Sequence, residues 1–527
     1  MNSFSSIKQA TYAKNGVVAT SEGLAAQAGL EILKKGGNAI DAAVATAACL
    51  TVVEPCSNGI GSDAFAIIHY DGKIYGMNAS GRSSHNISIE KVKNLKHESM
   101  PKYGVIPITV PGAPKAWSTL IERFGNLSLV EVLEPAIKLA REGFSISHNV
   151  GYYFEKAIKN YEAINVGPEF DQFFKTFKNG SEYYKTGDIF KNELMAKSLE
   201  EIAYTNSDSF YKGYLADKID SFMKKHGGFI DKDDLKNYEV EFVEPLSINY
   251  HGYDILELPP NGQGITALMA LNILKQQDSF VRDTNMLHRQ IEALKIAFTD
   301  TMTYVTDPKF MKMNPKFLLS DEYAKIRYAQ IEDYAKKYNP IDYKRSGTVY
   351  LATADEMGNM VSFIQSNYMG FGSGIVIEDT GISMQNRGHT FSLDPNHHNA
   401  LEPNKKTYHT IIPGFLMKDN LPVGPFGVMG GFMQPQGHLQ VMMNVIDFGM
   451  DPQAALDAPR FRWDEGLKVA IEKGFSPSTL HKLLKLGHEV SYENKIGGFG
   501  HGQIILKNDN GYQIGTETRC QGHIAYY

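Results

Sequence analysis

The chain has 527 residues, 43% hydrophobic and 21% charged, a composition that excludes a disordered chain and allows a large buried core. With 53 basic and 59 acidic side chains the formal charge is −6, so there is no electrostatic case for nucleic acid or an anionic membrane as partner. The three cysteines, Cys49, Cys56 and Cys520, are too few and odd in number for a disulfide framework and are expected as core residues.

Met1–Asn15 is polar and lacks the apolar run of a secretory signal, and the apolar stretch Ala42–Val53 is too short to span a bilayer. A cytoplasmic protein is expected. Gly16–Thr20 reads as a strand. Leu24–Lys35 reads as a helix stopped by Gly36-Gly37, and Asn38 or Asp41 is placed to cap a second helix running to Cys49. Phe65–Tyr70 and Lys73–Met77 flank Asp71-Gly72, a hairpin signal. Residues 115–225 read as mostly helical. Leu246–Tyr250 and Tyr253–Leu258 form a strand pair about His251-Gly252, and helices resume at Ile265, with Leu287, Ile291, Leu294 and Phe298 on one helical face. Lys336–Gly347 reads as a polar connector. It gives way abruptly to a β-rich run from Thr348 to Ala354, a turn over Asp355–Asn359 and a strand over Met360–Ser366.

A threonine at such a junction can carry chemistry. Its hydroxyl needs a base. Cutting the Gly347–Thr348 bond would free an α-amine with a pKa near ~7.7–8.0, so one residue would supply both nucleophile and base. The cut itself would be attack of the Thr348 hydroxyl on the Gly347 carbonyl, and a glycine there tolerates the backbone geometry required.

Further motifs carry a resemblance. Gly16–Ser21 and Ala28–Ala43 are followed by Val53-Glu-Pro55, Gly59-Ile-Gly61 and Val110-Pro-Gly112, and then by Glu134–Ala140, Glu142-Gly-Phe144, Glu292-Ala-Leu-Lys295 and Asp457–Phe461. In this order the chain resembles the gamma-glutamyltranspeptidase family. The resemblance implies an α+β fold, a four-layer αββα sandwich of the N-terminal nucleophile hydrolase type. It implies one precursor cleaved into residues 1–347 and 348–527, which stay together singly or as pairs of heterodimers. Asp355, Gly358-Asn359 and Phe371–Gly374 fall at the family's spacing after Thr348. The implied catalytic set is Thr348, Ser366 beside its amine, and the oxyanion-hole glycines Gly430 and Gly431. Arg82 is implied to grip a substrate carboxylate, as a guanidinium fork can.

The substrate-pocket positions depart from the family. Tyr368 and Thr390 stand where the family reads a glutamyl ammonium with an asparagine and an aspartate, and His409 and Thr410 stand where it has paired serines. The stretch Ser392–Lys406 is short for the family's lid. Losing the fixed negative charge weakens ammonium recognition. A small amide that bears a carboxylate and no amine, such as oxamate, is therefore expected as substrate. One alternative is a γ-glutamyl hydrolase or transferase that takes its ammonium contact from Asp63, Glu378 or Asp379. Another, of a different class, is a ligand-binding homologue without activity. His397-His398 with Asp394 lacks metal-ligand spacing, and neither Gly59-Ile-Gly61 nor Gly497–Gly500 completes a phosphate cradle, so no metal and no cofactor are assigned.

Overall fold

The computed structural model describes Ser6 and residues 8–164, 166–338, 347–494 and 497–527. Most of the expected connector, residues 339–346, lies outside the described residues.

Two seven-stranded antiparallel sheets form the centre. In the first, the order is His523–Tyr526, Val17–Thr20, Gly347–Ala354, Met360–Tyr368, Asp63–Tyr70, Lys73–Ala79 and Glu241–Val243. In the second it is Thr11–Ala13, Gly511–Thr516, His501–Asn508, Leu421–Met429, Gly414–Lys418, Tyr253–Glu257 and Leu246–Tyr250. Strands from either side of Thr348 interleave in both sheets.

Side-chain alternation along a strand sorts the core into layers. Tyr350, Ala352 and Ala354, with Phe65, Ile67 and Ile364, face the second sheet and meet Phe415, Met429 and Ile505. Val349, Leu351, Val361 and Phe363 face the other way, against helices Ala39–Val53, Ala113–Phe124 and Leu129–Glu142. The outer face of the second sheet (Ile255, Leu416, Val428, Ile504) is covered by helices Gly264–Leu274, Thr284–Tyr304 and Met433–Ile446. This is the expected αββα sandwich. Because both faces of strand Gly347–Ala354 are covered, its sequence is a continuous β-rich run rather than an apolar–polar alternation. Among the described residues no helix is long and apolar enough to cross a membrane.

Local signals explain the first helices. Helix Gly23–Lys34 ends at Gly36, whose φ of +96° suits glycine. Asn38 caps helix Ala39–Val53 with Asp41 reciprocating, so both candidate capping residues act together. The Asp355 turn docks on the same helix start: Ala39 N donates to Asp355 Oδ2 at 2.9 Å, and Thr353 Oγ1 donates to Ala39 O at 2.7 Å.

The Glu292–Lys295 motif has a structural role. Lys295 Nζ meets Glu292 Oε1 at 2.7 Å, with both side chains fully buried. The pair also grips the backbone where the connector begins: Lys295 Nζ donates to Lys336 O at 3.2 Å, and Lys336 N donates to Glu292 Oε2 at 3.3 Å. Lys295→Met leaves a buried carboxylate unpaired. It is expected to lower unfolding free energy by about 3–5 kcal/mol in a denaturant titration. A change under about 1 kcal/mol would show that the pair is not what holds this segment.

Candidate active site

Thr348 lies fully buried in the second position of its strand. The pairing with Met360–Tyr368 shifts there: Gly347 opposes Tyr368 but Val349 opposes Gln365. Thr348 therefore faces Ser366 and Asn367 across a bulge, a device that re-aims side chains beside active sites. Its parity matches Tyr350, and that of Ser366 and Asp63 matches Ile364 and Phe65, so all three point into the gap between the sheets.

Ser366 Oγ lies 3.0 Å from Thr348 Oγ1, donates to Gly347 O at 2.9 Å and accepts from Tyr368 N at 2.8 Å. A serine hydroxyl has one proton to donate. That proton is on the Gly347 carbonyl, so Thr348 must donate its own proton to Ser366. The arrangement polarises the carbonyl of the bond expected to be cut and orients the hydroxyl expected to cut it.

Gly430 and Gly431 follow strand Leu421–Met429 and precede helix Met433–Ile446. Their φ values of +137° and +61° suit glycine, and a Cβ on Gly430 would meet Gly500 Cα at 3.2 Å. They lie just before the N-terminus of a 14-residue helix, the end that carries partial positive charge. Gln263, which sequence reasoning missed, fixes this loop: its Nε2 donates to Gly431 O at 2.8 Å and to Thr410 O at 2.6 Å.

Behind Ser366 lies a buried polar cluster. Asp63, opposite Ser366 in the sheet, accepts through Oδ2 from His409 Nε2 at 2.9 Å and from Arg387 Nε at 3.1 Å. Burial alone would raise the Asp63 carboxyl, but the His409 hydrogen bond and the Arg387 charge outweigh it and hold the group below its ordinary value. Burial, then the Arg387 charge, pushes His409 down to about 4, so its ring is neutral, with Nε2 carrying the proton for Asp63. Arg387 Nη1 donates to Thr410 Oγ1 at 2.8 Å, and its guanidinium sits 4.5 Å from the Tyr368 ring centre. Arg387 was also missed in sequence; its signal was a lone cation within Gln385-Asn-Arg-Gly388.

The other predicted positions fall into separate groups. Thr390 donates to Arg387 O at 2.8 Å and lies 2.7 Å from Thr407 Oγ1, tying two loops together. Arg82 pairs with Asp307 at 2.7 Å and Glu241 at 2.9 Å and donates to Asn404 O at 3.2 Å. It lines a cavity with Glu241 and Lys406, apart from the one lined by Gly347. Of the alternative ammonium partners, Asp63 is engaged as described, while Glu378 and Asp379 pair at the surface with Lys225 and Lys218.

A cavity of about 290 Å³ is lined by Gly347, Gly430, Tyr103, Phe371, Glu22 and Glu54. Ser21 Oγ and Ser57 Oγ donate to Glu54 at 2.5 and 2.8 Å, and Ser147 Oγ donates to Glu22 at 2.8 Å. Burial raises Glu54 to about 7, and burial with the neighbouring Glu54 raises Glu22 to about 8. A carboxyl with a raised folded pKa adds stability below its unfolded value, and that stability is lost as pH rises through the folded value. Stability is therefore expected to decline from about pH 4.5 to about pH 8. Glu22→Gln should flatten that decline in melting temperature measured across the range; an unchanged slope would locate the pH dependence elsewhere.

The Gamma-glutamyltranspeptidase family model matches residues 25–527. The chain is 38% identical over 521 residues to the glutathione hydrolase-like YwrD proenzyme of Bacillus subtilis (strain 168), covering 95% of this chain and 96% of that one. It is 31% identical over 530 residues to the oxamate amidohydrolase proenzyme of Klebsiella pneumoniae, covering 97% and 98%. Among solved structures, cephalosporin acylase from Bacillus halodurans superposes with a TM-score of 0.96 at 52% identity, covering 100% of this chain and 98% of that one. The match across nearly the whole chain, the shared sandwich and the threonine at the strand opening agree. The chain belongs to the gamma-glutamyltranspeptidase family, enzymes that act on C–N bonds.

Proposed function

We propose that the chain is an autoprocessed N-terminal threonine amidohydrolase that cleaves an amide in a small substrate bearing a carboxylate and no ammonium, oxamate being the simplest such compound. Thr348 Oγ1 attacks the Gly347 carbonyl carbon, the C–N bond breaks, and its nitrogen takes the proton as the α-amine of Thr348. Water hydrolyses the resulting ester and leaves fragments 1–347 and 348–527. In turnover, the freed amine takes the Thr348 hydroxyl proton as Oγ1 attacks the substrate amide. Gly430 and Gly431 receive the oxyanion, the proton passes to the leaving nitrogen, and water hydrolyses the acyl ester. The fragments stay together because both sheets contain strands of both.

The observation that carries this reading is the contact of Ser366 Oγ with both Thr348 Oγ1 and Gly347 O, at 3.0 and 2.9 Å. For the substrate, Tyr368, Thr390 and His409 offer no negative charge, and the Asp63 charge is taken up by Arg387 and His409. The test is kcat/KM for oxamate against γ-glutamyl-p-nitroanilide, with and without a dipeptide acceptor; a higher value for the anilide overturns the substrate assignment. One observation favours a second reading, a γ-glutamyl hydrolase or transferase: Glu22 and Glu54 line the cavity beside Gly347, where they offer an ammonium a negative charge once pH rises above about 8 and about 7 respectively. The same assay separates the two.

A further inference from the structure

We propose that Arg387 holds the substrate carboxylate in place of Arg82, through a buried anion site beside the nucleophile that opens when the Tyr368 ring swings aside. The inference rests on the amidohydrolase reading above and names the contact that selects its substrate.

Arg82 is poorly placed for the task. Two carboxylates and a carbonyl already engage its terminal nitrogens, and one of those carboxylates, Asp307, is itself buried. An incoming anion would have to displace Asp307 or Glu241.

Arg387 differs on each count. It is fully buried, and one carboxylate, Asp63, meets only its Nε. Nη1 is used by the Thr410 hydroxyl, while Nη2 has no hydrogen-bond partner among the described residues. A buried cationic N–H left unmade is costly, and an apolar residue of similar volume would often serve the fold as well or better. A carboxylate oxygen is what that nitrogen lacks, and guanidinium–carboxylate contact is the strong case of such bonding.

Its location is also right. Asp63 sits opposite Ser366, which touches the nucleophile hydroxyl. On the other side, Thr410 is joined through Gln263 to Gly431 of the expected oxyanion hole. Arg387 is thus linked to Thr348 through Asp63 and Ser366, and to the expected oxyanion loop through Thr410 and Gln263, two residues on either side. A cation placed there attracts a substrate carboxylate and repels a substrate ammonium.

Tyr368 is the cover. Its ring lies 4.5 Å from the guanidinium, and its φ of +74° is a strained conformation for an aromatic residue. Strain of this kind persists at clamps and switches, where the surroundings hold it.

The test uses processed enzyme with oxamate and its neutral isostere oxamide. Arg387→Met is expected to raise KM for oxamate on the order of 100-fold, with oxamide kcat/KM changed less than about 3-fold, and Arg387→Lys is expected to recover part of the loss. Equal losses on both compounds overturn the inference, as does a selective oxamate loss confined to Arg82→Met. Folding is checked by appearance of the two fragments; if Arg387→Met fails it, Asp63→Asn/Arg387→Met removes the buried pair as a unit and takes its place. If wild type turns over neither oxamate nor any small carboxylate amide, the proposed reaction falls, and the anion site is then read by calorimetric titration with oxamate and oxalate. Binding abolished by Arg387→Met keeps the site; absent binding, or binding indifferent to Arg387, overturns it.

Discussion

Thr348→Ala is expected to remain a single 527-residue chain where wild type yields fragments 1–347 and 348–527, and to lose amide turnover by at least about 10⁴-fold. Removing Oγ1 removes the nucleophile of both steps, and the uncut chain never gains the α-amine base. The side chain is fully buried, and its described polar contact is with Ser366. Losing one hydroxyl there costs about 1 kcal/mol, too little to unfold the sandwich. Intact mass of both proteins, purified side by side, reads the outcome. Cleavage at the same bond in the variant would move the nucleophile elsewhere. A wild-type chain that stays whole would favour the ligand-binding alternative.

Ser366→Ala is expected to slow self-cleavage by about 10²- to 10³-fold, while Ser366→Thr stays within about 10-fold of wild type. The serine hydroxyl polarises the Gly347 carbonyl at 2.9 Å and accepts a hydrogen bond from the Thr348 hydroxyl at 3.0 Å. Alanine removes both effects and also leaves Tyr368 N without its acceptor. Threonine keeps the oxygen. The fraction of cut chain against time after rapid dilution from denaturant measures the rate. Equal rates for alanine and wild type would reduce Ser366 to a bystander of the bulge.

Much of the frame was legible along the chain. Asn38 and Asp41 as a cap, Gly36 as a helix stop and Asp71-Gly72 as a hairpin turn each follow from local stereochemistry, which does not depend on what packs above. The two central strands flanking Asp355–Asn359 were legible for the same reason, although the second runs on to Tyr368 rather than stopping at Ser366. The extra residues pair across the bulge opposite Thr348, where Gly347 meets Tyr368, a property of the pairing and not of either segment.

The substrate end was legible only in outline. The family resemblance picked out Thr348, Ser366, Gly430 and Gly431, and the structure puts Ser366 on Thr348 and the two glycines before a helix start. Arg82 was named by it too, but whether a guanidinium is free depends on the distant residues Glu241 and Asp307. Arg387, Asp63 and His409 are separated by hundreds of positions or by a loop, and only sheet register and loop closure bring them together. Sequence by itself determined the local elements and, through ordered motifs along the chain, the family resemblance that implied the layered fold and pointed to Thr348, because both are carried by residues close together in the chain. The tertiary structure alone decided which cations are tied up by carboxylates and which carboxyl groups are raised by burial near Gly347, because pairing and burial are set by what folds against each charge.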